Sequence, residues 1–216
     1  MALLFEGIDW GTLALLVAAA FAAGWIDAVV GGGGLLQLPA LLLAGVTPVQ
    51  ALATNKLASI FGTATSSIAF YRKVRPSLGD TLPMAAVALV GSFGGASVAA
   101  FLPASLFKPI IVVALVVVAL ITLFKPQLGV AAAVRFRGAK HIIIAGCIGA
   151  AIGFYDGVLG PGTGTFLVFA LVGLLGVDFL QASAKAKIGN FATNLGALLF
   201  FIPLGAVLWP LGLVMA

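Results

Sequence analysis

Charge is what this sequence has least of. Asp, Glu, Lys and Arg make up 8% of the 216 residues, against about 25% in a soluble domain. Six acids and one histidine, spread along the chain, give no metal-ligand cluster. No Gly-x-Ser-x-Gly elbow and no nucleophile–base pair stands out, so neither an enzyme nor a cofactor is expected. No ATP-binding motif is present, which leaves secondary transport or facilitated flux as the transport modes. The one cysteine, Cys147, has no intrachain partner and reads as a small packing residue. His141 reads as a residue at the membrane interface beside Lys140. The first charges, Glu6 and Asp9, are acidic, unlike the basic start of a signal peptide. No stretch between apolar runs is long enough to fold alone, so residues 1–216 read as one membrane domain.

Apolar sequence fills the space that charge leaves. Hydrophobic residues are 62% of the chain and its mean hydropathy is +1.26, more than a water-soluble fold of this size could bury. At about 20 residues per crossing there is room for roughly seven to nine. The predicted fold class is all-α, a polytopic integral membrane protein in a lipid bilayer. The apolar segments fall at about 12–30, 35–44, 49–71, 81–102, 106–124, 141–159, 165–175 and 182–201, with a last stretch after Pro203. The net charge of +5 reflects topology rather than nucleic-acid binding. Basic residues gather in two loops, Arg72, Lys73 and Arg75, then Lys125, Arg135, Arg137 and Lys140. Two crossings separate these loops, so 72–75 and 125–140 are expected on one side, the cytoplasmic face of the cell (inner) membrane.

Two glycine-broken regions are copies of each other. Asp27, Gly31 and Gly33 match Asp156, Gly160 and Gly162 at an offset of 129. Gly45, Gln50, Ala51, Ala53 and Lys56 then match Gly176, Gln181, Ala182, Ala184 and Lys187 at 131. If the short pieces 35–44 and 165–175 both cross, an odd number of crossings separates the copies and they are inverted. Copy one covers about 11–124 and copy two about 141–216. Inverted repeats with interrupted helices place substrates at the repeat interface near mid-membrane.

The breaks themselves are candidate binding elements. A helix restarting inside a membrane presents unpaired N–H groups and a positive end, both suited to an anion. Gly31, Gly32, Gly33 and Gly34 form the first break; Gly160, Gly162, Thr163 and Gly164 form the second, around Pro161. The resemblance of the second break to a nucleotide loop is discounted, because apolar helices flank it. Glycine at four-residue spacing, as in Gly149, Gly153 and Gly157 or Gly91 and Gly95, reads as close helix packing. Lys56 begins a polar helical stripe with Ser59 and Thr63, and Lys187 begins its equivalent with Asn190 and Asn194. Membrane-buried lysines face a partner or an aqueous path, or else snorkel to the interface; the matched stripes favour the former. Asn55 flanks the site. Lys185 is expected to face an exit or headgroups. Asp27 and Asp156, one before each break, suit a lysine partner, a proton carrier or a structural cap.

Trp25-Ile26-Asp27 with its four glycines, Pro39, and Ala53-Thr54-Asn55-Lys56-Leu57 resemble the first signature of the TauE/SafE sulfite exporter family. Gly153-Phe154-Tyr155-Asp156-Gly157, the break after it, and Ala186-Lys187-Ile188-Gly189-Asn190-Phe191-Ala192-Thr193-Asn194 resemble its second. The likeness spans about 23–201. It implies a multi-spanning inner-membrane protein associated with sulfite, sulfonates or related sulfur anions. Lys185 departs from the family pattern, where Asn is expected. Copy two also lacks counterparts of the crossings at 81–124. Either the chain is truncated, or a partner subunit, as in a homo-oligomer, covers the exposed surface.

The leading expectation is therefore a transporter of a small sulfur-containing anion. Its rivals are a proton- or cation-coupled carrier using the two aspartates, and a non-transporting scaffold whose glycines serve packing only.

Overall fold

The computed structural model describes residues 9–30, 33–124 and 134–216. Among these there are helices and turns and no strand. The expected segments appear as α1 (Trp10–Val30), α2 (Gly34–Leu43), α3 (Pro48–Val74), α4 (Leu78–Phe101), α5 (Ala104–Phe124), α6 (Gly138–Val158), α7 (Thr163–Ala170), α8 (Phe179–Phe201) and α9 (Trp209–Val214). A π-helical turn, Leu171–Leu175, extends α7. In α1, α4 and α6 there are stretches long and apolar enough to cross a membrane. The polar stripes lower the hydropathy of α3 and α8, whose 27 and 23 residues are still ample in length. By contrast α2, with 10 residues, reaches only about half of a ~30 Å hydrocarbon core.

The two copies are alike down to their turns. Gly45 and Gly176 both end a short helix in the left-handed region, with φ of 84° and 71°, where glycine carries no Cβ penalty. Thr47 and Asp178 then start α3 and α8 with almost the same backbone angles. Asp178 accepts from Gln181 N at 2.9 Å, and Thr47 bonds Gln50 at 2.7 Å. Outside the membrane segments, Asp9 caps α1 through Thr12 Oγ1 at 2.6 Å and the N–H groups of Gly11 and Thr12. The Thr12 bonds hold its carboxyl below the usual carboxylate range.

The repeat equivalents α3 and α8 run antiparallel. Gln181, at the start of α8, donates to Val74 O at the end of α3. Leu208, beyond the end of α8, donates to Thr54 near the start of α3. The copies are therefore inverted.

The glycine ladders do what their spacing predicts. Cβ atoms built at Gly149, Gly153 and Gly157 would come within 3.0 Å of the carbonyl oxygens of Met84, Ala88 and Ser92. Both series advance by four, so α4 and α6 run parallel with their backbones almost touching. Gly91 and Gly95 complete the contact from the α4 side, meeting Ala150 and Phe154. On its other flank α4 meets α8, where Ser92 Oγ donates to Thr193 O at 2.7 Å and Gly196 admits Leu89. Thus α4, a helix of copy one, packs chiefly on copy two. One apolar cluster gathers Leu16, Leu38, Leu52, Phe107 and Phe201; a second gathers Met84, Ile148, Leu167 and Leu171. Cys147 is exposed on the outer face of α6, not packed inside as its apolar surroundings suggested. Trp10, Trp25 and Trp209 also lie on the outer surface.

Candidate functional site

Each matched lysine of the internal repeat reaches across to the acid of the other copy. Lys56 of α3 places Nζ 2.6 Å from Asp156 Oδ2 of α6, with both side chains almost fully buried. Lys187 of α8 donates to the Asp27 backbone carbonyl of α1 and lies 3.4 Å from Asp27 Oδ2. Neither lysine snorkels. An unpaired charge at such depth would be very costly, and the cross-pairing reduces that cost.

The helix breaks bring the acids in. Asp27 Oδ1 accepts from Gly33 N at 3.3 Å. In copy two, Thr163 Oγ1 donates to Asp156 Oδ1 at 2.5 Å and contacts Gly160 O at 2.8 Å. Gly160 and Gly162 have φ of 91° and 79°, so glycine is required by conformation there. At 160 an added Cβ would also press on the pair, lying 3.0 Å from Lys56 Nζ. Tyr155 steadies this break by donating to Pro161 O at 2.6 Å.

Between the breaks lies a cavity of about 20 Å³, lined by Asp27, Gly33, Gly34, Asn55, Lys56, Ser59, Asp156, Gly160, Gly162, Thr163, Asn190 and Asn194. Every one of these was a candidate from the sequence. Asn55 Oδ1 is buried without a hydrogen-bond partner. Three other candidates stand behind the wall. Thr63 accepts from Asn194 Nδ2 at 3.3 Å, Lys187 holds Asp27, and Gly164 is buried in α7. Gly31 and Gly32 lie outside the described residues. The space suits about one water molecule, so this is a closed form of the site. A larger, open groove of about 480 Å³ runs between α1 and α3 and reaches Asp27, Gly33 and Ser59 from the side.

The profile of the family described as "Sulfite exporter TauE/SafE" matches residues 16–216. The chain belongs to this family. It is 40% identical over 210 residues to "Probable membrane transporter protein ORF9" of Sinorhizobium sp, covering 97% of this chain and 80% of that one. It is 40% identical over 204 residues to "Probable membrane transporter protein YfcA" of Escherichia coli (strain K12), covering 94% of this chain and 75% of that one. A "Probable membrane transporter protein" of Haemophilus influenzae is 37% identical over 209 residues, 97% of this chain and 80% of the relative. No solved structure matches. This TauE/SafE protein is an integral membrane transporter.

One residue of the transporter differs from expectation. Lys185 does not turn to headgroups: it is buried and paired with Asp80 at the start of α4. His141 joins the same carboxylate, with Nε2 2.9 Å from Asp80 Oδ2 and Nδ1 3.1 Å from Phe136 O. This ties the starts of α4 and α6 to α8, so the segments that follow the two basic loops lie at one end of the bundle. Sequence reasoning missed Asp80, and missed Gln37, which accepts from Ser59 Oγ at 3.3 Å. An acid in the first turn of an otherwise apolar helix was the available signal for Asp80.

Proposed function

We propose that the transporter carries a small sulfur-containing oxyanion, sulfite or an organosulfonate, through the cavity between its two inverted copies. The observation that carries this reading is the convergence of one buried lysine, three amides and two hydroxyls on one closed cavity beside two broken helices, with a second buried lysine holding Asp27 at its wall. Lys56 offers its ammonium directly. Asn55, Ser59, Thr163, Asn190 and Asn194 offer hydrogen bonds to oxygens, and Thr63 orients Asn194. The glycines of the breaks let backbone approach the anion. A three-oxygen anion exceeds the present space, so binding requires the breaks to part, and alternating access follows from opening them to one side at a time. By the bias of positive charge toward the cytoplasm, the loops at 72–75 and 125–140 face the cytoplasm of a bacterial-type inner membrane.

The test is reconstitution in liposomes, with sulfite flux measured beside Lys56→Ala and Lys187→Ala and with sulfate and a sulfonate as competitors. Saturable sulfite flux that folded lysine variants lose supports the reading. Flux that survives both substitutions but is abolished by Asp27→Asn and Asp156→Asn favours a cation or proton carrier instead. Silence toward every sulfur anion would sink the reading.

A further inference from the structure

The two cross-copy ion pairs occupy equivalent positions, yet they are built differently. Asp156 is sealed: its side chain is 2% exposed, Lys56 lies 2.6 Å from one oxygen, and the Thr163 hydroxyl takes the other. The residue of copy one that corresponds to Thr163, at the offset of 129, is Gly34. Asp27 therefore has no hydroxyl partner from that position. It keeps one backbone N–H at 3.3 Å and a lysine at 3.4 Å, and its side chain is 17% exposed. It also borders both the central cavity and the open groove.

Lys187 is held in a way that tolerates loss of the carboxylate, because its ammonium also donates to the backbone carbonyl of residue 27. If the Asp27 side chain turned away, Lys187 would keep a partner and stay in place. Lys56 has no corresponding backbone anchor among its described contacts.

Charge sets the remaining condition. The cluster holds two ammonium groups and two carboxylates, which balance. An entering monoanion adds an uncompensated negative charge at a depth where that is expensive. One proton on one carboxylate restores balance. The charged groups around Asp27 are Lys187 from α8, Lys56 from α3 and Asp156 from α6. Among the described residues, α2 and α7 contribute only uncharged side chains to the site, Gln37 and Thr163.

We propose that the Asp27 carboxylate is a stand-in for the transported anion: a proton neutralises it, the anion takes its place on Lys187, and anion and proton travel together, while Asp156 keeps its charge against Lys56, whose remaining N–H donors face the anion. The proton comes from water on the loading side, binds an Asp27 carboxylate oxygen, and returns to water on the unloading side. Lys187 keeps its own proton throughout. This rests on the anion reading above.

The test uses the full chain in liposomes with a pH-sensitive dye inside and an alkylsulfonate as probe, because its charge does not change across the physiological range. In the wild type, flux should rise up to about tenfold per unit fall in loading-side pH, as expected for one linked proton. Each anion should move one proton. Any sulfonate flux that Asp27→Asn retains should move no protons and vary less than about twofold per pH unit. Asp156→Asn, if folded, should remain proton-coupled. Wild-type sulfonate flux without proton movement would overturn the proposal and leave the anion reading intact; this arm needs no variant to fold. Coupling that persists in Asp27→Asn would also overturn it. A wild type that carries neither sulfonate nor sulfite removes the anion reading and this proposal together.

Discussion

Thr63 and Asn194 occupy equivalent positions in the two copies, and they are hydrogen-bonded to each other at 3.3 Å. Equivalent residues of an inverted pair can meet only where the relating axis passes. The contact therefore marks the pseudo-twofold axis between α3 and α8, directly beside the cavity. With Cys147 replaced by Ser, Thr63→Cys combined with Asn194→Cys should form a disulfide on mild oxidation, since the side chains already touch. Mass spectrometry of proteolysed protein would detect the linked peptides. If none form, the axis lies elsewhere.

Breaking one cross-copy pair should cost far more than removing it whole. Lys56→Met leaves Asp156 as a buried unpaired charge and should lose about 3–5 kcal/mol of stability. Adding Asp156→Leu should recover most of that loss in detergent-solubilised protein. Thermal unfolding followed by fluorescence checks both. Transport should not return with stability, because the ammonium would still be missing.

Equivalent glycines should respond in opposite ways. Gly153 sits against Ala88 of α4, whereas its counterpart Gly24 has nothing within 4 Å of where a Cβ would stand. Gly153→Leu should cost at least about 1–3 kcal/mol through overpacking, while Gly24→Ala should leave unfolding unchanged. Unfolding midpoints of the two variants, measured side by side, decide it.

The Asp80 cluster predicts an order of effects. Asp80→Ala strips both Lys185 and His141 of their shared carboxylate, whereas Lys185→Met leaves Asp80 its histidine. The first should destabilise more, by about 1.5–3 kcal/mol for the charged hydrogen bonds lost, and the second less. Equal losses would mean that His141 contributes nothing to the tie.

The helices and the membership of the site could be read from the sequence because they rest on local signals. Apolar runs set α1 to α8, and the matched aspartates, lysines and glycine breaks, with the polar stripes beside the lysines, singled out the residues that line the cavity. What stayed hidden depended on packing between distant segments. Nothing in the order of residues says that Lys56 meets Asp156 rather than Asp27; that follows from the antiparallel run of α3 and α8. Lys185 looked like a headgroup contact because its acid lies on α4, about a hundred residues away in the chain. Cys147 looked packed because apolar neighbours are equally abundant on the lipid side of a membrane helix, where hydrophobicity does not distinguish inside from outside.

The seam between α4 and α6 has a mechanical consequence. It joins a helix of the first copy to one of the second, with glycines that let backbone lie against backbone. Such a joint behaves as a welded beam: a slip of one residue would drive carbonyl oxygens into the opposite chain. The seam therefore resists a swing of the two copies as separate bodies. The opening proposed above therefore falls to the parts that this seam does not clamp, the half-length helices α2 and α7.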